Sequence, residues 1–555
     1  MSDRDALLAA IIAHPDDDTP RLMYADWLDE HAPDATPSPA AGPSARAEYI
    51  RVQCRLAQHP FDYPDYPELL EREQDLADWL KAHTPEKESR PNVPEAFDWF
   101  GSFDSIADDG SEHAAYRRGF PWVVEYGEWD DEPDDNIATI TKNLPAVFAR
   151  STVRALDLED AYGSEIAGIM AHPCVSGLRG FYLGDVDYND EADALGVIAT
   201  SEHLTGLRHL RLDTSVDTGS LKKLAKATHL NTLESFAFDF PSTAELKVLG
   251  AARWFRNLRS LRLWMDDRDA LKVLAELPPM PNLVALSFRG STAPTATAMR
   301  RFAASDSFPQ LARLEFESVR LGPDLVALLA AGTWPLRHLR FDSVPVKKGG
   351  AEALAGAAFA PTLRVLELIH CEITAGGVAA LANSEALAGL RHLHLPTNPI
   401  GAGGLLALVR SKHLRELRSL HLSNCNMTNA PLDAATLLNF LAALELPELR
   451  HLKLDRLPVC IRGARALAAN GTFANLTRLG LSECGLREAG ARAVVESGAF
   501  PNLTWVNLSE NAAGKGVSKL ADPRTFPRLG YADVSRNRVP KSPLWRLAKR
   551  PGVEV

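Results

Sequence analysis

The sequence has few cysteines and no long apolar run, and each shortage excludes a class of protein. Six cysteines among 555 residues are too few for a disulfide framework. The apolar run at residues 6–13 is too short to span a membrane and has no basic leader, so we expect neither a signal peptide nor a membrane helix. We therefore predict a cytoplasmic protein without a membrane partner.

Positive charge is also in the minority, with 60 basic against 72 acidic residues and a net charge of −12. This balance repels nucleic acid at long range, so no nucleic-acid partner is expected. The sequence also lacks a glycine-rich phosphate loop and a recognisable nucleophile turn, which lowers the expectation of catalysis. We predict a protein that is not an enzyme and that uses no cofactor.

One pattern is abundant. Fifteen times between Val153 and Leu529, an aliphatic residue is followed by two variable residues, an aliphatic or aromatic residue, one variable residue and another apolar residue. A clear copy reads Leu390-Arg-His-Leu-His-Leu395, and successive copies start 25 to 32 residues apart. Because a unit of this size cannot bury its apolar face alone, the copies must stack on one another. The pattern predicts a solenoid, an architecture typical of proteins that bind other macromolecules.

The second half of each copy predicts a helix. An apolar residue, a glycine and an aliphatic residue follow at steps of four, as in Ile400, Gly404 and Leu408. These steps place them on one helical face, and we expect the glycine to let the helix approach the strand layer. Such a strand–helix unit resembles the ribonuclease-inhibitor-like subclass of leucine-rich repeats. The resemblance implies an α/β leucine-rich-repeat solenoid, a horseshoe with parallel strands on the concave face and helices on the convex face.

Three cysteines occupy the same position in their repeats. Cys371, Cys425 and Cys484 each follow the first leucine by eight residues, where Asn398 and Asn511 stand in other copies. A small polar group at this position can hydrogen-bond a bending backbone. We expect these thiols to be buried, structural and reduced.

The N-terminal part predicts a small all-α domain. Two helices are expected within residues 3–31, separated by His14-Pro-Asp-Asp-Asp18, and two more over residues 47–58 and 67–83. A Pro/Ala/Ser stretch at residues 33–45 is expected to be a mobile loop.

The residue string Asp16-Asp-Asp-Thr-Pro-Arg-Leu-Met-Tyr-Ala-Asp-Trp-Leu-Asp-Glu30 resembles the repeat-companion domain that precedes leucine-rich repeats in bacterial paralogue families. Tyr116-Arg-Arg-Gly-Phe-Pro121 is similar to the junction in those proteins. The resemblance implies an architecture and no particular activity. The predicted domains are the helical companion domain at 1–90, a junction and N-terminal cap at 91–150, the solenoid of about 15 repeats at 151–540 and a C-terminal cap at 541–555.

The third and fifth positions of the strand pattern are expected to point away from the core, because side chains alternate along a strand. Three neighbouring copies carry histidines at these positions, namely His392, His394, His421 and His451. No acidic residue that would support a metal among them is identifiable from the sequence. The same alternation predicts that Trp264, Trp505 and Tyr531 are exposed and that charges two residues apart, such as Arg340 and Asp342, form pairs.

His14-Pro-Asp-Asp17 resembles the metal-binding string of zinc-dependent deacetylases of sugar amides. Those enzymes place the string after the first strand of a doubly wound sheet, whereas a predicted helix precedes it here. The simpler interpretation is an aspartate-rich helix cap. A zinc-dependent hydrolase or metal-regulated protein, using His14, Asp16 and Asp17 or the inner-face histidines, remains the alternative.

The preferred prediction is a non-enzymatic scaffold that binds a protein partner on the concave strand face. The predicted contact residues are Arg211, Arg262, Trp264, Arg340, His392, His394, His421, His451, Lys453 and Trp505. Nine strands also begin with Leu-Arg or Val-Arg, which aligns guanidinium groups along one rim. That rim is suited to an acidic partner, but the repeat's own consensus is the simpler explanation of the arginine. A third hypothesis makes the N-terminal helices the effector and the solenoid its targeting arm.

Overall fold

The computed structural model describes residues 2–31, 45–58, 69–70, 72–74, 76–77, 80, 116–118, 120–121, 123–126, 137–158, 163–184, 193–213, 218–239, 241–425, 432–547 and 553–554. These residues form two compact units. The first unit contains the described residues up to 301 and residues 305–311, and the second contains residues 302–304 and the described residues from 312 onward. The loop predicted at residues 33–45 lies outside the described residues except for residue 45.

The N-terminal helices of the first unit run over Asp3–Ala13, Thr19–His31 and Ala45–Gln58, and the described residues between 69 and 80 are also helical. Ser2 begins the first helix with a capping box, in which its hydroxyl accepts from the Asp5 amide at 3.2 Å. A hairpin of Tyr116–Arg117 and Phe120–Pro121 adds Phe120 to the core formed by these helices. The predicted helices are confirmed where they are described.

The remainder of the first unit is a parallel sheet flanked by helices. Its described strands are Val123–Tyr126, Ala155–Leu158, Gly180–Leu183, His209–Leu212, Ser235–Asp239, Ser260–Trp264 and Ala285–Arg289. Each pairs in parallel with the next. The helices are Ile137–Arg150, Gly163–Met170, Ala194–Thr200, Thr218–Lys226, Thr243–Gly250, Arg253–Arg256, Ala270–Glu276 and Ala296–Ala303, the last of which includes residues of both units.

The second unit repeats this arrangement with greater regularity. Its described strands are Arg313–Glu317, His338–Asp342, Val365–Ile369, His392–His394, Ser419–His421, His451–Lys453, Arg478–Gly480, Trp505–Asn507, Tyr531–Asp533 and Val553–Glu554. All neighbouring strands in this series pair in parallel. The helices are Pro323–Leu329, Lys347–Ala355, Ala375–Ala382, Gly401–Arg410, Ala434–Ala443, Cys460–Ala469, Arg487–Glu496 and Lys541–Leu547.

The fold confirms the α/β leucine-rich-repeat prediction. Every one of the fifteen predicted copies supplies a parallel strand, from Ala155–Leu158 to Tyr531–Asp533. Two strands lie outside the copies: Val123–Tyr126 pairs with the first, and Val553–Glu554 pairs with the last. Among the described residues, no helix is long and apolar enough to cross a membrane.

The cysteine and asparagine positions form a buried ladder, as predicted. The Asn398 amide oxygen accepts from the Cys371 and Ile373 amides, both at 2.9 Å, and its amide nitrogen donates to the Leu368 carbonyl at 2.6 Å. The Cys425 thiol donates to the Leu395 carbonyl at 3.0 Å. These groups satisfy the backbone where each strand bends toward its helix. All six cysteines are free.

The repeat glycines allow close contact between neighbouring helices, which corrects the expected approach of each helix to the strand layer. A Cβ atom at Gly404 would lie 3.3 Å from Val378 of the preceding helix and 3.0 Å from Ile400 at the start of its own helix. A Cβ at Gly377 would lie 3.3 Å from Ala351 in the same way. Stacking at the repeat spacing therefore leaves little room for a side chain between helices.

Candidate functional site

The strand face of the second unit is a row of interacting polar side chains centred on Glu367. Glu367, Arg340 and His394 hold matching positions on three adjacent strands. The Glu367 carboxylate lies 3.5 Å from His338 Nε2 and 3.5 Å from His394 Nδ1, and it accepts a hydrogen bond from Arg340 Nη1 at 3.2 Å. His394 Nε2 is 2.9 Å from the Ser419 hydroxyl.

Glu367 was not predicted from the sequence, although it stands at the fifth position of its repeat. It is the acidic neighbour of the histidines that was not identified from sequence. Setting the copies in register would have identified it, because Glu367 then aligns with His394 of the next repeat, 27 residues later.

Burial and hydrogen bonding set the charges of this row. Burial acts to raise the pKa of Glu367, but the neighbouring imidazoles of His338 and His394 outweigh it and hold that pKa well below its usual range. Burial lowers the pKa of His338 and His394. Burial, followed by the nearby Lys453, lowers the pKa of His421 well below its usual value. At neutral pH the Glu367 carboxylate is therefore ionised, while the imidazoles of His338, His394 and His421 are neutral.

The opposite end of the row is built around Trp505. Its ring stacks on Tyr531 with centroids 5.8 Å apart and planes inclined by 15°. The Arg478 guanidinium lies 4.9 Å from the centroid of Trp505, and Lys453 Nζ lies 5.8 Å from it. These contacts are cation–π and stacking interactions that fix the indole in place.

The exposure predicted for three candidate residues is wrong. His392, His451 and Trp505 are only 1%, 9% and 8% exposed. They sit on strands about 4.8 Å apart, where large side chains at the same position of neighbouring strands cover one another. Alternation along a strand correctly predicts which face a side chain lies on, but it does not determine how accessible that side chain is to solvent. The partly accessible predicted residues of this unit are Arg340, His394, His421 and Lys453.

The strand face of the first unit carries the other three predicted residues, Arg211, Arg262 and Trp264, all partly accessible. Arg211 forms an ion pair with Asp213, and in the second unit Arg340 pairs with Asp342 at 2.9 Å, so the predicted pairing is confirmed at these two positions. The Arg289 guanidinium lies 4.6 Å from the centroid of Trp264.

Asp239 lies in the field of the first-unit arginines. Burial raises the pKa of Asp239, and Arg211, Arg289 and Arg262 oppose this shift without cancelling it. This part of the face therefore places three arginines around a carboxyl group whose pKa is raised.

The aspartate-rich turn at residues 14–18 holds the N-terminal helices to the repeats. The Asp16 carboxylate is 3.2 Å from Arg179 Nε and 3.8 Å from Arg208 Nη2. Its backbone carbonyl accepts from Arg118 Nη1 at 2.5 Å. Burial acts to raise the pKa of Asp16, but Arg208 and Arg179 outweigh it and hold the pKa below its usual value. The turn is thus an ion-pair contact between distant parts of the first unit.

The same contacts remove the geometric basis for a metal site at this turn. Asp16 is engaged by arginines, while the Asp17 carboxylate accepts from the Thr19 amide at 2.8 Å and so caps the second helix, as the simpler interpretation predicts. His14 is exposed. Across the described ranges, including the inner-face histidines, no group of three or more His, Cys, Asp or Glu side chains is arranged to hold a metal ion.

The arginine that stands one residue before many strands has a structural role in its own repeat. Its guanidinium donates to the carbonyls one and three residues earlier and so closes the turn before the strand. The distances from the guanidinium nitrogen to the nearer and the farther carbonyl oxygen in sequence are 2.5 and 3.1 Å for Arg154, 3.1 and 3.2 Å for Arg179, and 2.8 and 3.2 Å for Arg364. This supports the repeat consensus as one reason for the arginine.

The comparison with protein families agrees with the repeat pattern. Residues 359–382 match the family model described as Leucine Rich repeat. No curated protein sequence matches the chain significantly. The yeast Rad7–Elc1 complex matches with 19% identity and a TM-score of 0.41, covering 61% of this chain and 88% of that one. The TLR13–ssRNA13 complex matches with 16% identity and a TM-score of 0.38, covering 70% of this chain and 54% of that one.

Proposed function

We propose that this chain is a non-enzymatic scaffold that binds a protein partner through its strand faces. The observation that carries the proposal is the polar row from His338 to Tyr531, whose side chains are held in place by one another. A surface that is already ordered loses little side-chain entropy on binding, which favours its use as a recognition surface. Its mixture of imidazoles, carboxylates and cations suits a partner of complementary polar pattern.

The proposed contacts follow accessibility. On the second unit they are Arg340, His394, His421 and Lys453, while His392, His451 and Trp505 lie covered on the same strand face. On the first unit the proposed contacts are Arg211, Arg262 and Trp264. We propose that Trp264 contributes the largest share of the binding free energy there. A tryptophan fixed by a neighbouring arginine has the properties of an interface hot spot.

Affinity capture from the native cell, read out by quantitative mass spectrometry, tests the proposal. The variant Lys453→Glu/His421→Ala alters the strand face, and Lys515→Glu/His370→Ala makes the same two changes at exposed positions elsewhere in the second unit. We expect the strand-face variant to capture about tenfold less of its main partner than the parent chain does. The control variant should capture an unchanged amount. Equal capture by both variants would contradict the strand-face assignment.

We further propose that the N-terminal helices form a companion domain of the bacterial type and that the protein is cytoplasmic. The packing of Phe120 against Ile11, Tyr24 and Ile50 supports including residues 116–121 in that domain rather than in a separate junction. The proposed divisions are otherwise 1–90, 91–150, 151–540 and 541–555. Buried free thiols such as Cys371 and Cys484 support a reducing compartment.

A further inference from the structure

Five arginines of the second unit form a continuous column at the edge of the strand face. Each stands one residue before its strand, and the members are Arg337, Arg364, Arg391, Arg418 and Arg450. The amide of each donates to the carbonyl of the preceding member, at 2.8, 2.9, 2.7 and 2.8 Å along the series. The five residues therefore occupy consecutive rungs about 4.8 Å apart. We call this set the arginine column.

The arginine column concentrates like charge at an accessible edge. Arg337 and Arg450 are exposed, and the three members between them are half-buried. The contacts of Arg364 with its own turn fix its guanidinium at that edge. Burial and then the charges of Arg391 and Arg337 lower the pKa of Arg364, and the Glu416 carboxylate opposes this shift without cancelling it, so charged groups on neighbouring repeats act on one another. A ligand with negative charge would relieve this repulsion.

In the first unit, carboxylates lie beside the arginines at the same position of the repeat. Arg154, Arg179 and Arg208 follow one another by the same backbone bonds, at 2.7 and 2.8 Å. Asp16, more than 160 residues earlier in sequence, places one carboxylate between Arg179 and Arg208. The next rung is Glu234, which lies 3.8 Å from Arg208. Here the column is matched by carboxylates, one of them from a separate segment of chain.

We infer that the arginine column of the second unit binds an acidic segment of a protein partner, whose carboxylates bridge guanidinium groups on neighbouring repeats as Asp16 does. A carboxylate is favoured over a nucleic-acid phosphate because the arginines at the same position of the first unit are matched by the carboxylates of Asp16 and Glu234. Bridging of this kind is short-ranged and charge-assisted. The column lies at the edge of the strand face, so the inference does not depend on the function proposed above.

Fluorescence anisotropy with the full chain tests the inference. The probe is a fluorescein-labelled peptide of ten glutamates, compared with a labelled Gly-Ser peptide of equal length and a labelled single-stranded DNA decamer. The column variants are Arg391→Glu/Arg418→Glu, the charge-preserving Arg391→Lys/Arg418→Lys, and the single exposed change Arg450→Glu. The matched control is Arg462→Glu/Arg465→Glu, which reverses two exposed arginines on the helix Cys460–Ala469.

We expect saturable binding of the glutamate peptide that weakens about tenfold in Arg391→Glu/Arg418→Glu. A smaller loss is expected in Arg450→Glu, and little change in the lysine variant and the control. Thermal unfolding of each variant accompanies the measurement, and Arg450→Glu keeps the test valid if the double reversal does not fold. No binding of the glutamate peptide, an equal loss in the control, or tighter binding of the DNA decamer would each overturn the inference.

Discussion

At the residue scale, accessibility on the strand face is decided by the side chains on neighbouring strands. His421 is an example, because its ring lies 5.7 Å from that of His394 and beside Lys453 in register. Both neighbours carry or can acquire positive charge, and Glu367 is the nearby carboxylate that opposes them. Burial of the ring, together with these charges, therefore makes protonation of His421 unfavourable in the folded chain, which couples the stability of this face to pH.

We predict that the chain loses stability as the pH falls below about 6.5 and that His421→Gln weakens this loss. The ordinary pKa of the imidazole is 6.5, and folding lowers it well below that value. The unfolded chain therefore binds more protons in acid, so the free energy of unfolding decreases as the pH falls. Unfolding midpoints at pH 7.5 and 5.5 provide the measurement, with the exposed His370→Gln as control. The prediction is wrong if both variants retain the pH dependence of the parent chain.

At the element scale, the N-terminal helices combine an apolar core with a buried carboxyl group. Glu73 lies among the helices with its carboxylate accepting a hydrogen bond from Gln53 at 2.7 Å. Burial raises the pKa of Glu73 from 4.5 to about 7. Because burial outweighs the hydrogen bond from Gln53, protonation of Glu73 is favoured compared with an exposed carboxyl group.

We predict that Glu73→Gln stabilises the helices at neutral and higher pH. Between pH 4.5 and about 7 the folded chain holds a proton that the unfolded chain has released, so stability falls as the pH rises through this window. Replacement by glutamine should recover up to about 3 kcal/mol at pH 8 and little at pH 4.5. Hydrogen exchange in Ala45–Gln58 measures the effect. Glu48→Gln removes the ion pair with Arg72 and should show no such gain; a similar gain there would exclude this explanation.

The contact between the aspartate-rich turn and the repeats also belongs to this scale. Asp16→Ala removes a carboxylate that bridges Arg179 and Arg208, and we predict a local loss of about 1 kcal/mol. Faster exchange or proteolysis is expected in Asp3–Ala13 and Thr19–His31. Asp3→Ala, on an exposed position of the first helix, is the control. Unchanged protection in the Asp16 variant would show that apolar packing alone holds the turn.

At the scale of the whole molecule, each unit is built from repeats that bury leucines against their sequence neighbours. Leu393 and Leu420 are 0% and 1% exposed and hold matching positions on adjacent strands. In such an array, stability is the sum of repeat and neighbour terms, so damage to one repeat weakens those beside it most.

We predict that Leu420→Ala destabilises the second unit by roughly 2 to 5 kcal/mol, because it removes buried apolar contacts and leaves a cavity. Faster hydrogen exchange should centre on the strands His392–His394, Ser419–His421 and His451–Lys453. Leu406→Ala is the matched control, since Leu406 is 45% exposed and should cost less than about 0.5 kcal/mol. Uniform loss of protection throughout the chain would argue against this local behaviour.

The repeats, the strand–helix order, the asparagine and cysteine ladder and the N-terminal helices could be predicted from the sequence. Each depends on spacing within one repeat or one helix, and burial of leucine at a fixed period leaves few alternatives. The additional strands Val123–Tyr126 and Val553–Glu554 could not be predicted, because they lack the leucine pattern and exist only by pairing with a neighbour.

The sequence by itself determined which residues face the core and which share the strand face, since alternation along a strand is a local property of the backbone. Only the tertiary structure decided that Trp505 is covered by Arg478 and Tyr531, that Glu367 lies between His338 and His394, and that Asp16 meets Arg179. These outcomes depend on the size, charge and reach of side chains brought together from separate repeats, which no spacing within a single repeat encodes.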